Sequence, residues 1–154
     1  MLPEVYFTQI SNLSEARFAS SVMAKGIAFC FELDQPNYVP IADLHGFKQW
    51  LVGSEWIAAL SKEPSLEMRE IIDYFGIKKV LFKNTLYHYD ALQTEVFNKT
   101  NFIKKLTPLK SKEDFNIAFK NKTPDVLLFG SKEEEVGMAS MEKWLTYFEA
   151  LEIL

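Results

Sequence analysis

Ile27-Ala28-Phe29-Cys30-Phe31 is an unbroken apolar run, short and without alternation, as in a strand covered on both faces. Such strands lie in parallel sheets, so helices are expected on either side of it in the chain. Upstream, Val5-Tyr6-Phe7-Thr8-Gln9-Ile10 is rich in aromatic and β-branched residues and reads as a first strand. Between the two, Asn12-Leu13-Ser14-Glu15 has capping-box spacing, and Leu13, Ala16, Ala19 or Ser20, and Met23 recur at helical intervals before a Lys25-Gly26 stop.

Downstream the alternation continues. A helix is expected from about Ile41 to Leu51, then a strand at Trp56-Ile57-Ala58-Ala59-Leu60. Ser65 caps a helix carrying Met68, Ile71, Ile72 and Phe75 and closed by Gly76, and Lys79-Val80-Leu81-Phe82 is a fourth strand. Asn84 to Thr100 is harder to read, because Tyr87-His88-Tyr89 breaks the pattern ahead of a candidate short helix. A fifth strand follows at Phe102–Leu106, then a helix near Lys112 to Lys120, and a sixth strand at Asp125–Phe129. A last helix, Met138 to Leu151, has Met141, Trp144, Leu145, Phe148 and Leu151 as its apolar stripe. Repeated strand–helix units imply an α/β fold with right-handed crossovers, either a doubly wound sheet or a (β/α) barrel.

Composition narrows the class. The 154 residues, 48% of them hydrophobic, suffice for one core, and a single domain over residues 1–154 is expected. With 17 Lys and Arg against 21 Asp and Glu the net charge is −4, which speaks against a general grip on nucleic acid. The N-terminal residues lack a signal pattern, and no window approaches the ~20 apolar residues of a membrane span. Cys30 is the one cysteine, so no intramolecular disulfide forms and a reducing, cytoplasmic home is expected. It reads as a small buried hydrophobe, not as a nucleophile. His45 and His88 lack metal-ligand spacing; neither a metal nor a cofactor is expected.

Several motifs resemble phosphoribosylanthranilate isomerase, the (β/α)8 enzyme of tryptophan biosynthesis. That family opens Lys-Ile-Cys-Gly-Ile-Thr-Asn-Leu-Glu-Asp-Ala, and Tyr6-Phe7-Thr8-Gln9-Ile10-Ser11-Asn12-Leu13-Ser14-Glu15-Ala16 follows with the same spacing. Its second strand is similar to Ala28-Phe29-Cys30-Phe31, its Ser-Pro-Arg-Tyr-Val to Gln35-Pro36-Asn37-Tyr38-Val39, and its Leu-Leu-Asp-Ser to Leu128-Phe129-Gly130-Ser131. A full barrel of eight units needs about 250 residues and at least roughly 200, so this chain has room for about six. The resemblance therefore implies a TIM-barrel-like (β/α) repeat, incomplete, with about six parallel strands and a C-terminal helix. Bare edges would be covered by that helix or by a second copy, giving a homodimer. The aromatic load, 14% of the residues, would fill the space of the missing units.

The same resemblance points to altered chemistry. The family opens a ribose ring with an acid and takes a proton from C2 with a base, work suited to a carboxylic acid and a thiolate. Its basic Cys aligns with Thr8, its acidic Asp with Gly130, its substrate-orienting Arg with Asn37, and a strand-end His with Lys83. The Gly-rich phosphate loops of its last strands have no counterpart after Ser131, where Gly137 is the one glycine. A small phosphorylated ligand would then rest on Lys83, Lys104, Lys105 or Lys132 as point charges. Thr8, Gln9, Lys83, Lys105 and Ser131, near expected strand ends, are the candidate ligand contacts, and Glu32, Asp34 and Lys83 are the alternative catalytic groups. Taken one by one, all of these read more simply as ordinary solvated loop residues. The expected function is a relative that has lost isomerase activity and persists as a binding or interaction protein. The alternatives are a divergent but active isomerase or other sugar-phosphate enzyme, and a purely structural oligomerisation module.

Overall fold

The computed structural model describes residues 4–130 apart from 50 and 52. The expected last helix and Ser131 lie outside the described residues. The chain begins as read, with β1 (Val5–Thr8), α1 (Leu13–Ser21), β2 (Gly26–Cys30), α2 (Ile41–Lys48), β3 (Glu55–Ala59), α3 (Leu66–Tyr74) and β4 (Lys79–Phe82). α1 starts where Asn12 Oδ1 accepts the Glu15 N–H at 2.9 Å, and the Glu15 carboxylate accepts from the N–H and hydroxyl of Ser11. Ser65 caps α3 through the Met68 N–H at 3.2 Å, and the chain leaves through Gly76 at φ 67°.

After β4 the alternation is interrupted. Lys83 and Asn84, at φ 49° and 60°, make a two-residue hairpin turn, and β5 (Thr85–His88) returns antiparallel with Thr85 opposite Phe82. Leu86 enters the barrel interior while Tyr87 packs on Phe97, a strand's period of two, and the short helix expected after Tyr89 is not formed: residues 90–100 are turns and bends. The loop that follows is tied to the body by side chains. Arg69 donates to the carbonyls of Gln93 and Thr94 at 2.8 and 2.9 Å, and Glu63 accepts the N–H groups of Val96 and Phe97 at 2.8 and 2.9 Å.

β6 (Phe102–Lys105) pairs antiparallel with β5; past Leu106 the same run continues as β7 (Thr107–Leu109), parallel to β8 (Val126–Phe129). The helix α4 (Lys112–Lys120) joins β7 to β8, and β8 pairs parallel with β1. The sheet has eight strands in the order β6-β5-β4-β3-β2-β1-β8-β7. Six of them are parallel, but the fifth is displaced: Phe102–Lys105 belongs to the antiparallel side, and Thr107–Leu109 makes the parallel pairing. The two ends of this order are consecutive in the chain. The Leu106 N–H donates to the Asn84 carbonyl at 2.7 Å and the Thr107 N–H to the Asp125 carbonyl at 2.9 Å. The sheet is thus a nearly closed barrel, with the β5–β6 hairpin lying between β4 and β7, the two ends of its parallel run.

Alternate residues divide between two cores. Phe7, Ile27, Phe29, Ala58, Val80, Val126 and Leu128 face outward onto the helices, where Ala16, Ala19, Leu44, Phe47, Ile72, Phe115 and Ala118 meet them. Tyr6, Ala28, Ile57, Leu81, Leu86, Leu106 and Leu127 fill the barrel. The aromatic rings gather mostly in the outer layer, where Phe29 packs on Trp56 at 5.0 Å and on Phe47 at 5.7 Å. The barrel interior is filled mainly by the aliphatic side chains of Ile57, Leu81, Leu86, Leu106 and Leu127 around the one fully buried ring, that of Tyr6, so the extra rings do not fill the space of missing units. Even a Cβ on Gly26 would lie 2.6 Å from Ile57.

The base of the barrel, at the N-terminal ends of the strands, is closed by charge pairs. Lys79 Nζ lies 2.7 Å from Glu55, and Lys104 Nζ lies 2.9 Å from Asp125 and 3.2 Å from Glu4, above the Tyr6 ring. Lys104 therefore belongs to the base and does not serve a ligand at the opposite end.

Candidate functional site

A cleft of about 220 Å³ opens at the C-terminal ends of the parallel strands. Inward positions at the tops of β1, β2, β3 and β8 supply Thr8, Cys30, Ala59 and Phe129, and the turn after β4 supplies Lys83 and Asn84. Thr8 is buried because the Gly130 N–H donates to its carbonyl at 2.8 Å, drawing the top of β8 against β1. Gln9 leaves β1 at φ 58°, and its carbonyl accepts from Asn37 Nδ2 at 3.3 Å. Asn37 reaches that far because the loop after β2 is pinned by the Val39 N–H on the Cys30 carbonyl at 2.8 Å.

Gly130 is buried with its α-carbon against this bend. A Cβ there would overlap the Gln9 carbonyl oxygen and stand 3.0 Å from the Gln9 carbonyl carbon. The position that aligns with the acid of the resembled family has no room for a side chain while Gln9 keeps its conformation.

Glu32, one residue beyond the apolar strand run, is 6% exposed. Its carboxylate accepts the Ser61 N–H at 2.9 Å and the Ser61 hydroxyl at 3.1 Å, a clamp joining the ends of β2 and β3. Cys30 Sγ lies 3.8 Å from the Glu32 carbonyl oxygen, and burial pushes its thiol up to about 11. It is a neutral, shielded thiol at neutral pH, as its apolar setting implied.

Of the candidate residues, the structure brings together Thr8, Gln9, Glu32, Asn37 and Lys83 around one cleft. Asp34 lies outside that lining: it faces a neighbouring cleft with Lys62, Glu67 and Met68, which Glu32 borders as well, so Asp34 and Lys83 open onto different clefts and the three residues do not share one. Lys105 sits on β6 opposite Thr85, exposed and outside the lining of the mouth. Ser61, Asn84 and Gln35 complete the lining. Ser61 was legible, since it stands directly after the third expected strand; Asn84 and Gln35 depend on turns that periodicity does not specify. His45 meets the Tyr74 hydroxyl at 3.2 Å, and among the described residues no group of His, Cys, Asp and Glu is arranged to hold a metal ion. No described helix is long and apolar enough to cross a membrane.

No family model matches this chain, and no curated protein matches it. Solved structures do. Phosphoribosylanthranilate isomerase from Thermotoga maritima superposes with a TM-score of 0.50 at 13% identity, over 95% of this chain and 73% of that one. A second structure from the same organism, described as mutually generated monomers of the dimeric enzyme, gives 0.48 at 15% identity over 95% and 72%. A third, in complex with reduced 1-(o-carboxyphenylamino)-1-deoxyribulose 5-phosphate, gives 0.46 at 14% identity over 96% and 62%. At such identities the likeness is one of fold: this chain has the TIM-barrel-like architecture of these isomerases.

Proposed function

We propose that the mouth of the barrel binds a small polar molecule and that the chain does not run the isomerase reaction of the proteins whose fold it shares. The observation that carries this reading is the lack of an acid–base pair among the described residues at the mouth. The titratable groups among them are Cys30, Glu32 and Lys83. Cys30 is neutral near pH 7, and Glu32 is engaged by both donors of Ser61. Thr8, where the resembled family has its base, offers only a hydroxyl, and Gly130 has neither an acid nor room for one. What remains is a recess with amides, hydroxyls and one charge of each sign, suited to holding a ligand. Its size, about 220 Å³ against about 300–1,000 Å³ for drug-sized pockets, suits a small metabolite.

The test is turnover of phosphoribosylanthranilate, followed by loss of its fluorescence. The reading predicts a decay no faster than in buffer. Saturable turnover that Glu32→Gln abolishes would instead identify a divergent enzyme working through Glu32 and Lys83, the rival that their shared cleft favours.

A further inference from the structure

Among the described residues, the mouth contains two opposite charges that have no ion-pair partner, Glu32 and Lys83, the Lys83 ammonium lying 5.2 Å from the centre of the Phe82 ring. The ion pairs among the described residues are Lys79–Glu55, Lys104–Glu4 and Lys104–Asp125; neither Glu32 nor Lys83 takes part in one. Glu32 is buried with its carboxylate held by Ser61, and hydrogen bonds alone leave its charge uncompensated. A carboxylate withdrawn from water without a cation is costly, so its natural complement is an ammonium that arrives with a ligand. Lys83 lines the same cleft from φ 49°, a backbone conformation that a residue with a Cβ adopts at a cost. Its charge repels a simple amine, and Glu32 repels a simple anion. A ligand that satisfies both carries both signs.

We propose that the mouth takes a small zwitterion of the α-amino-acid class, with its ammonium on Glu32 and its carboxylate on Lys83. Asn37 and Asn84 lie in the same lining to orient the polar groups, and Ala59, Leu81 and Phe129 offer an apolar surface for a short side chain. The cleft, about 220 Å³, is of a size for such a molecule and not for a peptide. The assignment rests on the reading of the mouth as a binding site.

Calorimetry of the full chain at neutral pH and low salt tests it, with L-alanine as probe. N-acetyl-L-alanine removes the ammonium, ethylamine removes the carboxylate, lactate replaces the ammonium with a hydroxyl, and inorganic phosphate supplies an anion alone. L-alanine is expected to bind saturably, and each single-charge probe at least about tenfold more weakly. Glu32→Gln, which retains an acceptor for Ser61, and Lys83→Met, at an exposed turn, are each expected to weaken alanine by about tenfold or more. Asp34→Asn, in the neighbouring cleft, is expected to leave it unchanged. Binding of lactate or phosphate as tightly as alanine, or no heat from alanine with a folded chain, overturns the zwitterion assignment. Turnover in the isomerase assay overturns the underlying reading, so the two failures are distinguishable.

Discussion

A Cβ at position 130 would overlap the Gln9 carbonyl oxygen, and the backbone there cannot yield without unmaking the Gly130-to-Thr8 hydrogen bond of 2.8 Å. Gly130→Ala is therefore expected to destabilise the fold by about 1–3 kcal/mol, the usual cost of overpacking. Gly46, inside α2, has nothing within 4 Å of a built Cβ, so Gly46→Ala is expected to stabilise by about 0.5–1 kcal/mol. Urea unfolding of both variants checks the contrast, and a Gly130→Ala protein as stable as the parent would contradict the close approach. Lys83 is the reverse case. Glycine there relieves a left-handed conformation costing about 1–2 kcal/mol but adds roughly 0.5–1 kcal/mol of unfolded-chain entropy. Lys83→Gly is expected to raise the melting temperature slightly while removing the cation of the mouth; a lower melting temperature would show that the turn is not strained.

At the scale of elements, most of the parallel strands and their helices were legible because they have local signals: runs buried on both faces, and caps at Asn12 and Ser65 that the structure realises on the N–H groups of Glu15 and Met68. Asn12→Ala is expected to cost about 1 kcal/mol in denaturant, a deficit that a serine at the same position restores. The hairpin lacked such signals. Its turn is Lys83-Asn84 and not Asn-Gly, and four-residue strands leave little alternation to read. The division of 102–109 between β5 and β8 depends on partners distant in sequence, which no local pattern specifies. The mouth followed the same logic. Thr8, Gln9, Glu32 and Lys83 were found because strand ends converge there, and Asn37 because of its place in a resembled motif. Asp34 and Lys105 were misplaced because a loop's direction and a strand's orientation decide which opening a side chain reaches.

At the scale of the whole molecule the barrel has two different ends, one closed by charge pairs and one open. At the closed end, the hydrogen bond from Lys104 holds the Glu4 carboxyl below its ordinary value of 4.5. Burial alone would lower the Lys104 ammonium, but its bonds to Tyr6, Asp125 and Glu4 outweigh that and raise it. A carboxyl depressed by folding adds stability above its unfolded value and loses it as pH falls through the folded one; a raised ammonium adds stability below its unfolded value and loses it in strong alkali. Stability is thus expected to decline on acidification below about pH 4.5. Lys104→Met is expected to lower stability at pH 7 and to flatten that decline in urea unfolding. An unchanged acid limb would mean that the base pairs are solvated and idle. At the open end, the most direct measurement is a titration of the isotope-labelled chain with L-alanine, followed by backbone amide shifts. The predicted result is saturable movement of the Gln9, Glu32, Ser61 and Lys83 amides while those of Lys79, Lys104 and Asp125 stay in place. Saturable shifts confined to the neighbouring cleft around Asp34 and Met68, or to the base, would contradict the assignment of the mouth as the binding site.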